Sequence, residues 1–553
     1  MDFTLTLLIF GWIFVAAWVP IVIATNRKTH PMALFVLFGA EMWERFSFYG
    51  MRALLTLYMS KVLFQAMEGA ESRALGVYGS YTAMVYLFPV LGGLVADRIF
   101  GFRKAILWGG ILMMLGHFTL ALEGTLFEGS LFLFFFSLAL IIVGNGYFKP
   151  NISSFLGDFY EKDDPRKDGA FTIFYMGVNI GSFLATLTCG YVGERINWHY
   201  GFGLAGIGMA CGLLLFWICS RTQVLGDKGL VPPSVKERGP VVAGLRAPAL
   251  VYIGSLMALP IVALMLNISN IVSGLLVVTT IGIIGYLVYE AVQLRRKARV
   301  MIASGGRPGA YLPEGEGTDE DTASPKAEGD RLLVVTVLFF FHAIFWALFE
   351  QAGGSLTLFT DKNVQRMLGG TEVPASIFQS LNPLFIMLLA PVFSWIWLRL
   401  RKRNAEPSTP MKFVLGLAQL GLGFVIIVSG AKLFATNAQV PMIFVVLMYL
   451  FHTMGELSLS PVGLSMITKL SPAKIVGFVM GAWFLSISLG NKIAGVIGQL
   501  TAAENLPDEA SAYDTLALYS QTYLVWGVLV VLGAALVLLV LVPRLRKWMH
   551  GIH

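Results

Sequence analysis

Residues 32–60 read MALFVLFGAEMWERFSFYGMRALLTLYMS. The run is long and apolar enough to cross a bilayer, which takes about 20 mostly apolar residues as a helix. Yet it carries Glu41, Glu44, Arg45 and Arg52 through its middle. A charged side chain at mid-membrane costs at least ~2.5–3.5 kcal/mol on insertion scales. At about 100° per residue, positions 41, 44, 45, 49 and 52 share one broad helix face. That face cannot meet lipid; it must line a polar cavity or meet partner charges. Four charges on one stripe exceed what helix packing alone requires, so the stripe is read as functional.

Outward from this segment, apolar runs of similar length recur nearly end to end. Helices are expected near 3–24, 32–60, 74–96, 105–123, 130–154, 170–192, 201–219, 246–267 and 270–292. Six more are expected near 332–359, 376–399, 412–433, 440–467, 475–499 and 515–542. Apolar types make up 56% of the 553 residues and charged types 13%, against roughly 45–50% and about 25% in soluble domains. With a mean hydropathy of +0.72, most of the chain belongs in lipid. Cys189, Cys211 and Cys219 fall in apolar runs without metal or redox spacing, and are read as small core residues.

The net charge of +7 reflects topology and not nucleic-acid binding. One set of alternating loops is basic, with Arg27 and Lys28, Arg98, Arg103 and Lys104, and Lys162, Arg166 and Lys167. It continues with Arg295, Arg296 and Lys297, Arg401, Lys402 and Arg403, and Arg544, Arg546 and Lys547. The other set is poor in cations, and segment 501–514 holds Glu504, Asp508, Glu509 and Asp514. Cytoplasmic loops carry the Lys/Arg excess, so the basic set and the C-terminus are expected inside. Fifteen spans then put the N-terminus outside, in the periplasm. Residues 1–24 lack a basic start and an A-x-A-like cleavage site, which favours a spanning helix over a secretory signal. The Gly-, Pro-, Ser- and acid-rich stretch 300–330 reads as a flexible linker. The expected organisation is an extra N-terminal transmembrane helix at 1–30, a six-helix bundle at 31–220, an inserted helix pair with its linkers at 221–330, and a second six-helix bundle at 331–553.

Other ionisable residues fall inside apolar runs: Lys149 in GNGYFKPN, Glu350 in FWALFEQAGG, Glu456 in FHTMGELSLSPVG and Lys492 in SLGNKIAG. Arg52 and Glu350 lie on the first helix of their respective bundles, and Lys149 and Glu456 on the fourth. Opposite charges at equivalent places fit a transporter whose two halves rock around a midplane site. Arg52–Glu350 and Lys149–Glu456 are therefore expected to close the two ends of the path in alternation. Pro150, Pro383, Pro391 and Pro461 fall in these helices, where proline kinks the chain and frees carbonyls that a cavity can satisfy. Residues 92–105, GGLVADRIFGFRKA, place Asp97 and Arg98 at a helix end before Gly101, Arg103 and Lys104. His117, His342 and His452 have no metal-ligand spacing and are read as packed or cavity-lining.

Taken together, these segments resemble the proton-dependent oligopeptide transporters of the major facilitator superfamily, in their bacterial form. EMWERFSFYG resembles the family's E-x-x-E-R-F-x-Y-Y-G signature, and GGLVADRIFGFRK the superfamily's loop motif. GNGYFKPN, FYMGVNIGSF, WALFEQ, SLNPLF, GELSLSP and GAWFLSISLGN are similar to further family motifs, so the resemblance spans roughly residues 32–545. It implies an all-α membrane protein of major facilitator fold that imports di- and tripeptides with protons, without cofactor or metal. It further implies that Glu41 and Glu44 carry protons in concert with Arg45. Arg52 and Lys149 would meet the peptide carboxylate; Glu456, with Asn179 and Asn382, would meet its amino terminus. Tyr49, Tyr86, Trp346 and Trp483 would shape the side-chain pockets, and Glu350 would work with Arg52 at the outer gate.

The chain departs from the pattern at Phe48, where the family usually has a tyrosine, and at Gly79, near the place of a proton-linked histidine in animal members. The resemblance places the protein in a plasma membrane, bacterial inner membrane by its short loops, working as a monomer. Two rivals share the fold: a carrier of another solute such as nitrate or a drug-like anion, and a non-transporting peptide sensor. No G-x-S-x-G, H-E-x-x-H or P-loop points to an enzyme.

Overall fold

In hydrocarbon every backbone N–H and C=O must be satisfied within the segment, so apolar runs of this length fold as helices. The computed structural model describes residues 2–127, 129–161, 163–237, 240–241, 244–304, 324–507 and 510–552. Lys162, Asp508, Glu509, residues 305–323 of the linker and the side chain of Pro461 lie outside the described set.

The first helix, α1 (Phe3–Asn26), precedes a bundle of α2 (Met32–Tyr58), α3 (Ala70–Val95), α4 (Gly101–Leu126), α5 (Leu131–Gly157), α6 (Lys167–Arg195) and α7 (Trp198–Ser220). A short α8 (Pro233–Glu237) leads to the inserted pair α9 (Ala247–Asn267) and α10 (Ser269–Ala303). The second bundle comprises α11 (Pro325–Phe349) continued by α12 (Ser355–Asn363), then α13 (Leu381–Lys402), α14 (Thr409–Leu433), α15 (Met442–Leu470) and α16 (Val476–Gln499). Its last helix is α17 (Ala512–Thr522) joined through a π-helical stretch to α18 (Val531–Trp548). Two ladders of two-residue strands, Val364–Gln365 with Val440–Pro441 and Met367–Leu368 with Thr371–Glu372, decorate the loops opposite the basic ends.

Thirteen helical stretches among the described residues are long and apolar enough to cross a membrane. One of them, the 55-residue stretch Ala70–Gly124, would be a rod of about 80 Å at 1.5 Å per residue, far longer than a bilayer is thick. It is turned at Gly101, whose φ of 70° suits glycine, and so makes two passes. The α2 helix falls short of that apolarity because of its charges, yet almost all of it is buried. These make the fifteen expected spans, arranged as two six-helix bundles with an inserted pair and an extra first helix.

α1 packs on α6, where Trp12 Nε1 donates to Thr188 Oγ1 at 3.0 Å, and turns Phe10, Ile13, Phe14 and Ile21 outward. The inserted pair touches both bundles. Tyr147 of α5 and Ser255 of α9 are hydrogen-bonded at 2.9 Å, and Arg295 of α10 donates through Nε to Asp330 of α11 at 2.6 Å.

Three local expectations need correction. Pro383 is the third residue of α13, within the first turn, where backbone N–H groups have no helical partner anyway, so it starts the helix and does not interrupt it; Pro150 and Pro391 do lie inside helices. Only Cys189 is a core residue; Cys211 is exposed and Cys219 half-buried, because α7 is peripheral and turns part of its surface outward. The helix expected over 332–359 breaks after Phe349 into a tight turn, Glu350–Gly353.

Contacts between the bundles gather at the end opposite the basic loops. Lys61 pairs with Asp361 at 2.7 Å, Lys362 with Glu71, and Arg52 with Glu350 deeper in. Glu504 accepts from the Glu71 amide at 2.8 Å, and Glu194 from the amides of Ala375 and Ser376 at 3.1 and 2.8 Å. Lys492 Nζ donates to Ser80 Oγ at 2.7 Å. α3 and α16 approach so closely that a Cβ on Gly79 would stand 2.7 Å from Gly495 Cα. A side chain of histidine size has no room at that position. Among the described residues no ion pair links the basic ends of the two bundles.

Two predictions follow from these contacts. Gly79→Val should lower the thermal-unfolding midpoint of the purified protein, by an overpacking cost of about 1–3 kcal/mol. Gly282→Val on α10, where a Cβ meets nothing within 4 Å, should leave it unchanged. Arg52→Ala and Glu350→Gln should each destabilise more than the double variant adds, since removing one partner strands a buried charge. A double-mutant cycle should give a coupling above ~0.5 kcal/mol; additive single effects would show that the pair does not hold the bundles.

Candidate functional site

Between the bundles lies a cavity of about 350 Å³, at the small end of the roughly 300–1,000 Å³ typical of ligand pockets. Its first-bundle wall comes from α2, α3, α5 and α6, and its second-bundle wall from α11, the Glu350 turn, α13 and α15. Arg45, Tyr49, Arg52, Tyr86, Lys149 and Asn179 line the first wall. Trp346, Glu350, Asn382 and Glu456 line the second. Every charged group on the first wall is a cation and every one on the second is an anion.

The stripe on α2 forms because helical spacing stacks residues four apart. Arg45 Nε lies 2.7 Å from Glu41 Oε1 and 3.1 Å from Glu44 Oε2. All three are buried. Asn145 of α5 donates to Glu44 Oε1 at 3.2 Å, and Glu41 Oε2 has no hydrogen-bond partner among the described residues. Glu41 and Glu44 do not line the cavity; they stand behind Arg45, which does. Two carboxylates facing one guanidinium leave a negative charge over, which one proton would neutralise.

Arg52 donates through Nε to Tyr78 Oη at 2.7 Å and through a terminal nitrogen to Glu350. Its guanidinium lies 5.7 Å from the Tyr49 ring centroid. Glu350 reaches it because the α11 helix ends one residue earlier. A Cβ on Gly353 would collide with Tyr78 Oη at 1.8 Å, so a glycine is required at that turn. Thr56 Oγ1 donates to the Gly353 carbonyl at 2.7 Å.

Lys149 Nζ sits 4.0 Å over the Tyr86 ring, a cation–π contact, and forms no ion pair among the described residues. Glu456 accepts from Asn382 Nδ2 at 2.8 Å and likewise lacks a cation. The two line opposite walls of the cavity and form no ion pair with one another among the described residues.

Trp483 does not line the cavity. It stacks on His342 at 4.1 Å between centroids and 22° between planes. Trp346 Nε1 donates to His342 Nε2 at 2.8 Å, so the His342 proton is on Nδ1 and goes to Ser486 Oγ at 2.6 Å. Trp483 thus acts on the cavity through His342 and Trp346. Phe48 is buried, packs edge-on against Tyr49 at 5.2 Å, and also stays off the cavity lining, so its lack of a hydroxyl removes no polar group from that wall. His452 lines the cavity; His117 is buried in the first bundle, with neither ring nitrogen bonded among the described residues.

Several lining residues escaped the sequence reading. Tyr175, Ser182 and Thr186 join Asn179 along α6, and Tyr449 joins Glu456 along α15 beside His452, which the sequence reads as packed or cavity-lining. The signal was there: 175, 179, 182 and 186, like 449, 452 and 456, are polar positions at helical spacing in apolar helices. Gln379 comes from the turn before α13, where no periodicity marks it.

Similarity to known proteins agrees with this architecture. Residues 103–513 match the family model described as PTR2, the POT family. The chain is 37% identical over 534 residues to "Peptide transporter YePEPT" of Yersinia enterocolitica, covering 94% of this chain and 96% of that one. It is 30% identical over 527 residues to "Dipeptide and tripeptide permease A" of Yersinia pestis, with 95% of each chain covered. A crystal structure of a peptide transporter POT in complex with sulfate superposes with a TM-score of 0.72 at 35% identity, over 94% of this chain and 96% of that one. A membrane-spanning fold of two six-helix bundles, a polar cavity between them and full-length similarity to these carriers lead to one conclusion: the chain belongs to the POT family of transporters.

Proposed function

We propose that this protein is a proton-coupled symporter that imports di- and tripeptides across the plasma membrane, in bacteria the inner membrane, by alternating access. The separation of charge across the cavity carries the reading. A short peptide is a zwitterion whose termini lie about 7–10 Å apart at two or three residues in extended form. Lys149 on one wall and Glu456 on the other are the two ions left without ionic partners, and they match the two termini. Arg52 supports the carboxylate end, and Asn179 and Asn382 the amino end. Tyr49, Tyr86 and Trp346, the last held by His342 and Trp483, form a loose aromatic lining that tolerates varied side chains. The named activities of the Yersinia relatives point the same way.

Arg52–Glu350 and the ion pairs beyond it close the end away from the basic loops. With those loops cytoplasmic, by the positive-inside rule, this is the state shut to the outside, with the C-terminus inside and the N-terminus outside. Opening outward must break Arg52–Glu350, and Lys149–Glu456 then closes the inner end. Protons enter through Glu41 and Glu44, whose shared guanidinium, Arg45, links the protonation state to the cavity wall. The working unit is the monomer. Each proton contributes ~2.3 kcal/mol per 100 mV and ~1.4 kcal/mol per pH unit. One proton can therefore support accumulation of roughly two orders of magnitude under that combined gradient.

The test is uptake of radiolabelled dialanine into liposomes holding the purified protein, under an inward proton gradient. Accumulation should occur and be abolished by a protonophore, and Glu44→Gln should lose gradient-driven accumulation while keeping dialanine counterflow. Binding without uptake would identify a sensor, and uptake of nitrate or a drug-like anion but not dialanine would identify another carrier. Glu456→Gln should weaken dialanine binding about tenfold or more, the worth of a charged hydrogen bond. N-acetyl-dialanine, which lacks the amino charge, should bind the wild type and Glu456→Gln with similar weakness; a large difference would place the amino terminus elsewhere.

A further inference from the structure

The basic ends of α13, α14, α15 and α18 enclose a second cavity, of about 940 Å³. It shares no lining residue with the central one. Four cations line it, Arg401, Lys412, Lys469 and Arg546, against a single carboxylate, Glu406. Glu406 binds Arg401 at 2.7 Å and Lys412 at 2.6 Å. The hydrogen bond from Arg401, with that from Lys412, lowers its carboxyl to about 2, so it stays ionised and engaged. Lys412 also lies over the Trp397 ring at 4.9 Å. Lys469 and Arg546 are exposed and have no ion-pair partner among the described residues.

The cavity sits where the wall helices pass from apolar to charged. Trp397 is followed by Arg401, Met466 by Lys469 and Val542 by Arg546, each one turn on, and the apolar member of each pair also lines the cavity. On the outer face of α13, Val392, Trp395 and Leu398 are exposed, and Arg399 comes next in the chain. That is the level at which acyl chains give way to headgroups, where tryptophan and snorkelling cations collect.

The first bundle treats the same position differently. Its equivalent turn, between α3 and α4, carries Arg103. The chain beyond α7 folds back there, so Arg103 donates to the carbonyls of Lys228 at 2.7 Å, Ser220 at 3.2 Å and Gly226. In the second bundle the chain beyond α18 turns the other way. His550 reaches Asp330 at 2.8 Å, and Arg331 donates to the Met549 carbonyl at 3.4 Å. Glu406 engages Arg401 and Lys412 on the α13–α14 side, while Lys469 of α15 and Arg546 of α18 face the cavity without a backbone acceptor of the kind Arg103 has, among the described residues.

We propose that this cavity binds the headgroup phosphate of an anionic phospholipid from the cytoplasmic leaflet. Lys469 and Arg546 contact the phosphate, and Trp397, Met466 and Val542 lie along the glycerol and the first acyl methylenes. The leaflet rests on the orientation given under the proposed function; the chemistry of the site does not. Basic loops occur throughout this face of the protein, but here four helix ends bring cations and an apolar floor into one cavity, which suits a lipid and not a dispersed counterion cloud.

The test is native mass spectrometry of the full chain in detergent, titrated with phosphatidylglycerol or with phosphatidylcholine of the same chains, without peptide. Its outcome is therefore independent of whether the transport reading holds. The wild type should retain phosphatidylglycerol in preference to phosphatidylcholine. The double variant Lys469→Gln/Arg546→Gln, at exposed positions that leave the fold intact, should bind phosphatidylglycerol about thirtyfold more weakly, as expected for two surface cations. Arg296→Gln/Lys297→Gln, a charge-matched change on α10 outside the cavity, should bind as the wild type does. Equal loss in the two variants, equal retention of the two lipids, or displacement of the lipid by millimolar inorganic phosphate would overturn the assignment, the last by showing a soluble-anion site.

Discussion

An ionised side chain in a low-dielectric interior needs a partner, and in this protein the partners stand on opposite bundles. The α2 stripe and Lys149 place cations on one wall; the Glu350 turn and α15 place carboxylates on the other. Joining Arg52 to Glu350 draws the bundles together at one end. At the cavity the walls stand apart, and Lys149 and Glu456 form no ion pair with one another among the described residues. An arrangement that could satisfy all its ions at once would be a stable block with nothing left for a ligand.

The exception to this cross-bundle rule is local to α2. Glu41 and Glu44 pair with Arg45 of the same helix, the carboxylates behind the cavity wall and the guanidinium in it. Two carboxylates share one guanidinium there, and none of the three pairs with a charge on the other bundle among the described residues. Arg45 alone of the three reaches the cavity, so the carboxylates touch that wall only through its guanidinium.

Precision in the second wall comes from interruptions and from a supporting layer. Ending α11 at Phe349 turns Glu350 toward Arg52, and beginning α13 with Asn382 and Pro383 in its first turn points an amide at Glu456. Behind Trp346, the hydrogen bonds through His342 to Ser486, with Trp483 stacked on the imidazole, fix the indole in one orientation. The periphery shows the converse. The α3–α4 turn is closed by the chain's own carbonyls, whereas at the α13–α14 turn a carboxylate, Glu406, holds an exposed Arg401 and a buried Lys412, so the two bundles end in different chemistry despite the same helix order.

The sequence by itself determined the number of membrane helices, their order, and the faces bearing Glu41, Glu44, Arg45 and Arg52. Length, apolarity and the period of a helix are local properties, and lipid enforces them without reference to neighbours. The same period held an unread message in the stripes 175–186 and 449–456. Only the tertiary structure decided what each face meets. It set Trp483 a layer behind the cavity, left Cys211 at the outer surface, moved Pro383 to a helix start, and paired Arg52 with Glu350 while keeping Lys149 from Glu456. It also gathered Lys469 and Arg546 from helices far apart in the chain. Such contacts depend on the packing of segments separated by up to several hundred residues and on the end at which the two bundles meet, and neither is encoded in the periodicity of any one segment.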